Sequence, residues 1–362
     1  MSKAPLELVD LVFSDIYLLE KPGDCRYKES SDSLRLREFD TSLHEELSRL
    51  FSFLGDQCET NSPGSMTALW PIAQQHGIKQ SAEQGSGNTK SAMRLRVTNL
   101  VGSDNQLVFY IRRYRQGVAT LGDLGVPKPI IDRLLSPTLT QGLCMLGGKA
   151  GSGKTTLANS MIVARLTTLG GVCVTAENPV ELQIAGRHGD GMCFSHEVGS
   201  DQEMANAVIN FLRTSPNIIF LGEIRDAFVA KEAVLAALSG HLVITTFHGH
   251  SLVGALARFA GFIGDNNLLA DALSAVAYLE LCETKDQTEL FPLKSASPLN
   301  NGQGQGQNAP ASIRNSKKLT IDFLWFLGPE GTALASVVRS GNFSMLSSEI
   351  SRQRNHMLQS RS

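Results

Sequence analysis

The sequence predicts an α/β fold preceded by a smaller α+β domain at its amino-terminal side. Three observations support this. From 130 to about 284 apolar strand-like runs alternate with helix-like runs, as in a parallel sheet covered on both faces. A glycine-rich segment at 148–155 lies between one such strand and a helix. Two arginine-bearing strands then occur on the amino-terminal side of a stretch rich in glycine and proline at 116–129.

Composition sets limits on the class of protein. The 362 residues are 42% hydrophobic and 19% charged, which suits a globular chain with two domains. The formal net charge of −2 argues against a large polyanion as the main partner, so we expect no direct nucleic-acid binding. The amino terminus lacks the pattern of an export signal, and no uncharged apolar run reaches the ~18 residues of a membrane span. We therefore expect a cytoplasmic protein with no integral membrane segment.

The cysteine pattern indicates neither zinc nor a disulfide framework. The six cysteines form no C-x-x-C pair, and reduced thiols are the default in a cytosolic protein. Cys144 and Cys173 lie within apolar strands, where they are most simply small core residues.

The first domain is predicted over 1–127, with a polar loop at about 55–92. Asp15–Leu19 alternates like a strand, and Ser42–Phe53 has a helical pattern. The polar segment is rich in Ser, Gly, Gln and Asn, and one helix is predicted near Ala68–Gln75. Two clear strands follow, Met93–Thr98 and Gln106–Arg112.

The second domain is predicted over 128–290. Its strands are apolar and β-branched with little alternation, as strands buried on both faces should be. They are Gln141–Leu146, Gly171–Ala176, Asn217–Leu221 and His241–Thr246. A Gln/Gly-rich linker is predicted at 291–318, and a closing strand with two helical runs at 319–362.

The segment from Gly148 to Thr155 fits G-x-x-x-x-G-K-[ST], the loop whose backbone N–H groups hold nucleotide phosphates. Glycines allow the loop to adopt backbone angles closed to other residues and to approach the phosphates closely. Lys154 is expected to reach the β- and γ-phosphates, and the Thr155 hydroxyl to bind Mg²⁺. The predicted ATP-binding residues are Gly148, Lys149, Ala150, Gly151, Ser152, Gly153, Lys154, Thr155 and Thr156.

Two glutamates follow predicted strands at positions that suit phosphate chemistry. Glu177 follows Gly171–Ala176, and Glu223 follows Asn217–Leu221. Ligands of open parallel sheets bind beyond the carboxyl ends of the strands, so both side chains are directed toward the phosphates. A carboxylate there orients the attacking water. The alternative is that these glutamates cap the next helix or pair with Arg225.

His241 and His248 bracket the next strand. An imidazole at this position suits contact with the γ-phosphate or with a catalytic carboxylate, and the alternative is an ordinary hydrogen-bonding histidine. Arginines concentrate in the first domain, where Arg94 and Arg96 share a strand face and Arg112 lies on the next strand. They are either a solvated sheet face or arginine fingers that act on a neighbouring subunit's nucleotide.

Together these segments resemble the secretion ATPases of the PilT/GspE superfamily. Gly142–Thr156 matches the family's Walker A box, and Ala176–Glu181 resembles its Asp box. Phe211–Asp226 resembles its atypical Walker B box, which has glycine in place of the usual aspartate. Ser239–His248 is similar to its His box. Four boxes in order form a specific signal.

The resemblance implies a PAS-like first domain, a RecA-like ATPase domain and a homohexamer with ATP between subunits. It implies Glu223 as the catalytic glutamate and Glu177 and His248 near the γ-phosphate and metal. Arg94, Arg96 and Arg112 are implied to reach ATP. The implied partners are an inner-membrane platform or secretion-channel proteins, with the ATPase peripheral at that membrane.

Three departures from the family pattern are visible. Asn178 replaces the usual aspartate of the Asp box, which removes a charge beside Glu177. Arg115 stands where the family usually has proline, and the tetracysteine zinc element is absent. The absence of the zinc element favours the retraction or DotB-like conjugative branch, and Asn178 points toward the DotB-like branch.

The leading hypothesis is a hexameric ATPase motor for type IV secretion or conjugation, type IV pili, or type II secretion. The alternative, motivated by Asn178, is a nucleotide-gated structural subunit that binds ATP with little hydrolysis. A small-molecule kinase is disfavoured because no arginine-rich lid occurs between the boxes.

Overall fold

A computed structural model of the chain describes residues 7–29, 33–58, 64–71, 92–103, 106–113, 117–284 and 316–359. The chain divides into two compact units, Met1–Arg115 and Gln116–Ser362. The boundary differs from the predicted one at 127. Leu121 and Val126 are buried in a core of the second unit, which is why the Gly/Pro-rich stretch belongs to it.

The first unit has a six-stranded antiparallel sheet with the order β3-β2-β1-β6-β5-β4. Its strands are β1 Asp15–Leu18, β2 Arg26–Lys28, β3 Arg37–Glu38, β4 Gly64–Pro71, β5 Ala92–Val101 and β6 Leu107–Arg113. Helix α1, His44–Gln57, buries Leu47, Leu50 and Leu54 in the same core as the inward residues of β5. The spacing of these leucines puts them on one face of the helix.

Strand β4 corrects the prediction of a polar loop over 55–92 with a helix near 68–75. Ala68 and Trp70 are buried while Leu69 between them is exposed, the two-residue period of a strand. β4 pairs with β5, and the Trp70 indole Nε1 donates to Glu46 Oε1 at 3.2 Å. Helix α1 extends into the predicted loop as far as Gln57, and residues 59–63 and 72–91 of that loop lie outside the described residues.

The second unit has an eight-stranded sheet with the order β14-β13-β7-β12-β11-β8-β10-β9. Its strands are β7 Gly142–Gly148, β8 Gly171–Glu177, β9 Gly186–His188, β10 Gly191–Glu197, β11 Ile218–Leu221, β12 Leu242–His248, β13 Leu273–Thr284 and β14 Ser316–Trp325. The six inner strands are parallel, and β9 and β14 pair antiparallel at the two edges.

Helices cover both faces of this sheet. They are α2 Lys128–Leu134, α3 Lys154–Leu169, α4 Asp201–Phe211, α5 Ala227–Leu238, α6 Leu252–Ile263, α7 Asn266–Ala272, α8 Gly328–Ser340 and α9 Leu346–Gln359. One core cluster lies under α2 and α3, and the other under α4 to α9. Side chains of Ser200, Asp226, Ser251 and Asp265 accept the first backbone N–H groups of α4 to α7. The α/β fold class is therefore confirmed.

The carboxyl-terminal segment is not a separate region. β14 pairs with β13 along its whole length, so the segment predicted as 319–362 completes the main sheet. The predicted linker falls mainly on 285–315, which lies outside the described residues. All six cysteines are free thiols. No helix among the described residues has the length and apolar character needed to cross a bilayer.

Candidate functional site

The phosphate-binding loop lies at the carboxyl end of β7 and leads into α3. Gly148, Gly151 and Gly153 have φ values of +154°, +73° and +92°. A Cβ at Gly148 would lie 2.4 Å from Ser152 Oγ and 2.7 Å from the Leu279 carbonyl oxygen. This position therefore requires glycine for space as well as for φ. The loop and the first turn of the 16-residue helix α3 provide the backbone N–H groups that anions bind.

Lys154 is buried against the loop that it follows. Its Nζ donates to the carbonyl oxygens of Gly148 at 3.1 Å and Lys149 at 2.9 Å. It also lies 3.5 Å from His248 Nδ1. Burial lowers the pKa of Lys154, and the negative charges of Glu223 and Glu181 oppose that shift. The ammonium group thus lies in the loop, where the oxygens of a bound phosphate would accept its hydrogen bonds in place of the two carbonyl oxygens.

The loop fits a magnesium-bound triphosphate. The glycine positions leave a concave backbone surface, and Thr155 lies half-buried in the first turn of α3. Mg²⁺ in such sites takes one or two protein oxygens and completes its shell with phosphate oxygens and water. The Thr155 hydroxyl is the protein oxygen that would hold it here.

Glu223 lies two residues beyond the end of β11 and is contacted from two sides. Arg225 Nε donates to Glu223 Oε2 at 2.9 Å, and Nη2 of the same guanidinium donates to the same oxygen. His248 Nε2 lies 2.7 Å from Glu223 Oε1. His248 reaches this position because the end of β12 is in register with Gly148 at the end of β7.

These contacts connect the loop lysine with the strand-end glutamate through His248. An ammonium group has only donors, so the approach of Lys154 Nζ makes His248 Nδ1 the acceptor. The other ring nitrogen, Nε2, lies 2.7 Å from Glu223 Oε1, but Oε1 accepts no hydrogen bond from any described residue. His248 thus lies between the loop lysine and the strand-end glutamate.

Glu177 has a different environment at the end of β8. Its side chain is fully buried, and Oε1 accepts from the Thr175 hydroxyl at 3.0 Å. Burial raises the pKa of Glu177 to about 7, and the hydrogen bonds of Thr175 and the Glu181 backbone oppose that rise. A Cβ at Gly222 would lie 3.0 Å from Glu177 Cγ. Aspartate at 222 would therefore press a second carboxylate against a buried one, which explains the glycine of this Walker B box.

The structure corrects the assignment of His241. Parallel strands β7 and β12 pair Leu242 with Gly142 and His248 with Gly148. His241 therefore lies at the amino edge of the sheet, about 23 Å along the strand from His248. Its carbonyl oxygen accepts from Gly142 N at 3.0 Å, which is a structural role.

The arginines of the first unit share one face of its sheet. Arg94 and Arg96 are half-buried on β5, on the face opposite to the core residues, and Arg96 pairs across strands with Arg112. Arg112 Nε donates to buried Asp15 at 2.7 Å. Burial alone would raise the pKa of Asp15, but hydrogen bonds from Tyr110, Arg112 and Ser14 outweigh it and lower the pKa. Arg112 thus has a partner within its own unit, and its action on a neighbour's ATP stays a prediction.

Two site features were missed from the sequence. Glu280 of β13 pairs with Lys149 of the loop at 3.3 Å, and the Tyr278 hydroxyl donates to the Gly249 carbonyl at 3.1 Å beside it. Both lie on a strand that was not predicted, so no sequence signal pointed to them.

A phosphate loop at the carboxyl edge of a parallel sheet, with a glutamate and a histidine on the next strands, defines a P-loop nucleotide-binding protein. Residues 87–321 match the family described as "Type II/IV secretion system protein". The chain belongs to this family, and the predicted membership of the PilT/GspE superfamily is confirmed.

Relatives with known names agree with this assignment. Type II secretion system protein E of Xanthomonas campestris is 32% identical over 145 residues, which cover 40% of this chain and 25% of that protein. Type IV pilus assembly ATPase PilB of Myxococcus xanthus is 40% identical over 117 residues, which cover 32% of this chain and 20% of that protein. The chain thus spans a fifth to a quarter of the length of these two relatives.

Solved structures share the fold over almost the whole chain. The pilus retraction motor PilT with bound ADP has a TM-score of 0.67 at 19% identity and covers 94% of this chain and 86% of its own. The ATPase DotB of Legionella pneumophila has a TM-score of 0.62 at 18% identity and covers 92% of this chain and 84% of its own. The RecA-like fold class is therefore confirmed.

Proposed function

We propose that this chain hydrolyses ATP to power a type IV secretion or conjugation machine, a type IV pilus or a type II secretion machine. One observation carries the proposal. His248 lies between Lys154 of the phosphate loop and Glu223, which follows β11. Lys154 Nζ is 3.5 Å from His248 Nδ1, and His248 Nε2 is 2.7 Å from Glu223 Oε1. Hydrolysis needs a phosphate-binding cation and a water-orienting carboxylate side by side, and the fold brings both to one edge.

The proposed chemistry assigns each residue a task. The loop N–H groups and Lys154 bind the β- and γ-phosphates. Thr155 would hold Mg²⁺, which would supply positive charge to stabilise the transferring phosphoryl group. Glu223 orients the attacking water and accepts its proton. His248 lies beside Glu223 Oε1 and loses its contact with Lys154 when the lysine turns to the phosphates. Glu177 stays a buried carboxyl group behind Glu223.

Assembly completes the proposed site. We propose a homohexamer in which Arg94, Arg96 and Arg112 of one subunit act on ATP held by the next, as arginine fingers do. The ring would dock on an inner-membrane platform or secretion channel from the cytoplasmic side. The net charge of −2 supports a protein partner rather than direct binding to nucleic acid.

The structural-subunit alternative is less well supported. Asn178 removes a charge beside Glu177, yet Glu223 and His248 keep their positions next to the loop. A chain that only binds ATP has no need of a water-orienting carboxylate in that place.

Phosphate release by purified protein at increasing chain concentration tests the proposal. Wild type is expected to show a rate per chain that rises as the protein assembles, and Lys154→Ala is expected to reduce it at least about 100-fold. Saturating ATP bound to an assembled ring with no release of phosphate would instead support the structural-subunit alternative.

A further inference from the structure

Arg225 holds one carboxylate oxygen of Glu223. Two guanidinium N–H groups of Arg225 donate to Oε2, the one from Nε at 2.9 Å. Each carboxylate oxygen offers about two lone pairs, so these two donors fully occupy Oε2. His248 Nε2 lies 2.7 Å from the other oxygen, Oε1, which accepts no hydrogen bond from any described residue.

The Arg225 contact opposes the role proposed for Glu223. Two N–H groups on one oxygen fix the direction of the carboxylate. Hydrogen bonds from a guanidinium also stabilise the charged form, which a group that takes a proton from water must give up. The Arg225–Glu223 pair therefore restrains Glu223.

The Arg225 side chain is free to leave without disturbing the core. It is 61% exposed, whereas the Glu223 side chain is 17% exposed. Arg225 lies in the short turn between β11 and α5, next to the N-cap residue Asp226. Rotating an exposed guanidinium costs little packing energy, so the pair opens by movement of Arg225 rather than of Glu223.

Two further carboxylates act on the charge of Arg225. The hydrogen bond with Glu223 raises the pKa of Arg225 first, and the negative charges of Asp201 and Glu181 raise it further. Asp201 begins α4, and Glu181 is an exposed residue after β8. Arg225 thus lies in the field of three carboxylates, only one of which is placed for catalysis.

We propose that the ion pair with Arg225 restrains Glu223 and opens when ATP with Mg²⁺ binds. Arg225 is a positioning residue that acts through Glu223. The inference rests on the proposed function in one respect, namely that Glu223 turns toward the γ-phosphate. Part of the binding energy of the nucleotide is then used to open the pair, so the pair lowers the affinity for nucleotide.

A double-mutant cycle on nucleotide affinity tests the inference without requiring turnover. A slowly hydrolysed ATP analogue with Mg²⁺ is titrated into full-length wild type, Arg225→Gln, Glu223→Gln and the double variant. The energy needed to open the Arg225–Glu223 pair lowers the affinity for nucleotide only in variants that contain both residues. Arg225→Gln should therefore improve affinity about three- to tenfold more in the Glu223 background than in the Glu223→Gln background. Equal effects within about twofold, or coupling of the opposite sign, would overturn the inference.

Turnover supplies a second and separate measurement. Because the pair is already open in the ATP-bound chain, Arg225→Gln should raise kcat/KM about three- to tenfold and leave kcat within about twofold. Arg225→Lys should give an intermediate kcat/KM, because lysine keeps the charge but loses the second donor. Arg187→Gln, which removes an exposed arginine from the edge strand β9, is the matched control and should leave kcat/KM unchanged. A fall in kcat of Arg225→Gln to the level of Glu223→Gln would make Arg225 part of the active geometry and refute its restraining role. If wild type shows no turnover, the proposed function fails while the affinity cycle still decides the role of Arg225.

Discussion

Two glutamates end neighbouring strands of the second unit, and their surroundings set them apart. Glu223 forms an ion pair with Arg225 through Oε2, and its Oε1 lies 2.7 Å from His248 Nε2. Glu177 is fully buried and has the Thr175 hydroxyl on its Oε1. Burial raises the pKa of Glu177 to about 7. We therefore propose Glu223 as the group that acts on water and Glu177 as a buried acid behind it.

Glu177→Gln should change stability in a pH-dependent way. Burial raises the pKa of Glu177 from its ordinary 4.5 to about 7, so the native state binds this proton more tightly than the unfolded state does. The bound proton stabilises the native state fully at pH values below the ordinary pKa, and this stabilisation is lost as pH rises to about 7. The glutamine variant is expected to be up to about 3 kcal/mol more stable than wild type at pH 8, with the gain vanishing near pH 4.5. Urea unfolding at several pH values measures this.

The neighbouring exposed residue supplies the control for that measurement. Glu181→Gln removes a carboxylate of the same segment from a solvent-exposed position, so its effect on unfolding should be small at every pH. If Glu177→Gln gives no gain at pH 8, the carboxyl group of Glu177 is ionised in the native state at little cost and its proposed role behind Glu223 is wrong.

At the scale of elements, buried parallel strands were the most predictable feature. β7, β8, β11 and β12 are continuous apolar runs, and each was predicted from that pattern. β13 was not predicted because alanine and serine weaken the strand signal over Leu273–Ala277, where burial rather than residue propensity determines the strand. β4 was not predicted because its alternating pattern lies within a polar segment.

The candidate site was predictable where strand direction alone determines the position of a residue. The rule that ligands bind at the carboxyl edge of the sheet predicts Lys154 and His248 as site residues. The same rule excludes His241, which lies at the amino edge. The partners of Arg112 and Arg225 were not predictable, because side-chain directions depend on which neighbour is within reach. For Glu223 the sequence left pairing with Arg225 and catalysis as alternatives, and the structure contains the pair beside His248.

The loop element gives a further prediction. Gly148→Ala should destabilise the second unit by about 1–3 kcal/mol, because its φ of +154° is strained and the added Cβ meets Ser152 Oγ and the Leu279 carbonyl. Gly151→Ala is the matched control, since φ is +73° there but no atom lies within 4 Å of the added Cβ. Thermal unfolding midpoints should rank wild type, Gly151→Ala and Gly148→Ala in falling order. Equal midpoints for the two variants would contradict the packing described for Gly148.

At the scale of the whole molecule, the proposed site combines residues of two copies. Glu223 lies in the second unit and the arginines of β5 in the first. Neither Glu223→Gln nor the double variant Arg94→Gln/Arg96→Gln should hydrolyse ATP alone. Mixed in equal amounts, they should regain roughly a quarter of the wild-type rate, because about one interface in four then has both intact partners. A steady-state phosphate assay on the mixture measures this.

Two outcomes of that mixing experiment would contradict a shared site. One is a mixture as inactive as its components although both variants bind ATP and assemble together. The other is full activity of the arginine variant alone, which would leave its two arginines as a solvated sheet face.

The most direct measurement of the central claim compares ATP affinity and phosphate release in wild type and Glu223→Gln. The account predicts that the variant binds ATP with Mg²⁺ at least as well as wild type but releases phosphate about 10²- to 10³-fold more slowly, since only the water-orienting carboxylate is lost. Release of phosphate by Glu223→Gln at the wild-type rate would contradict it.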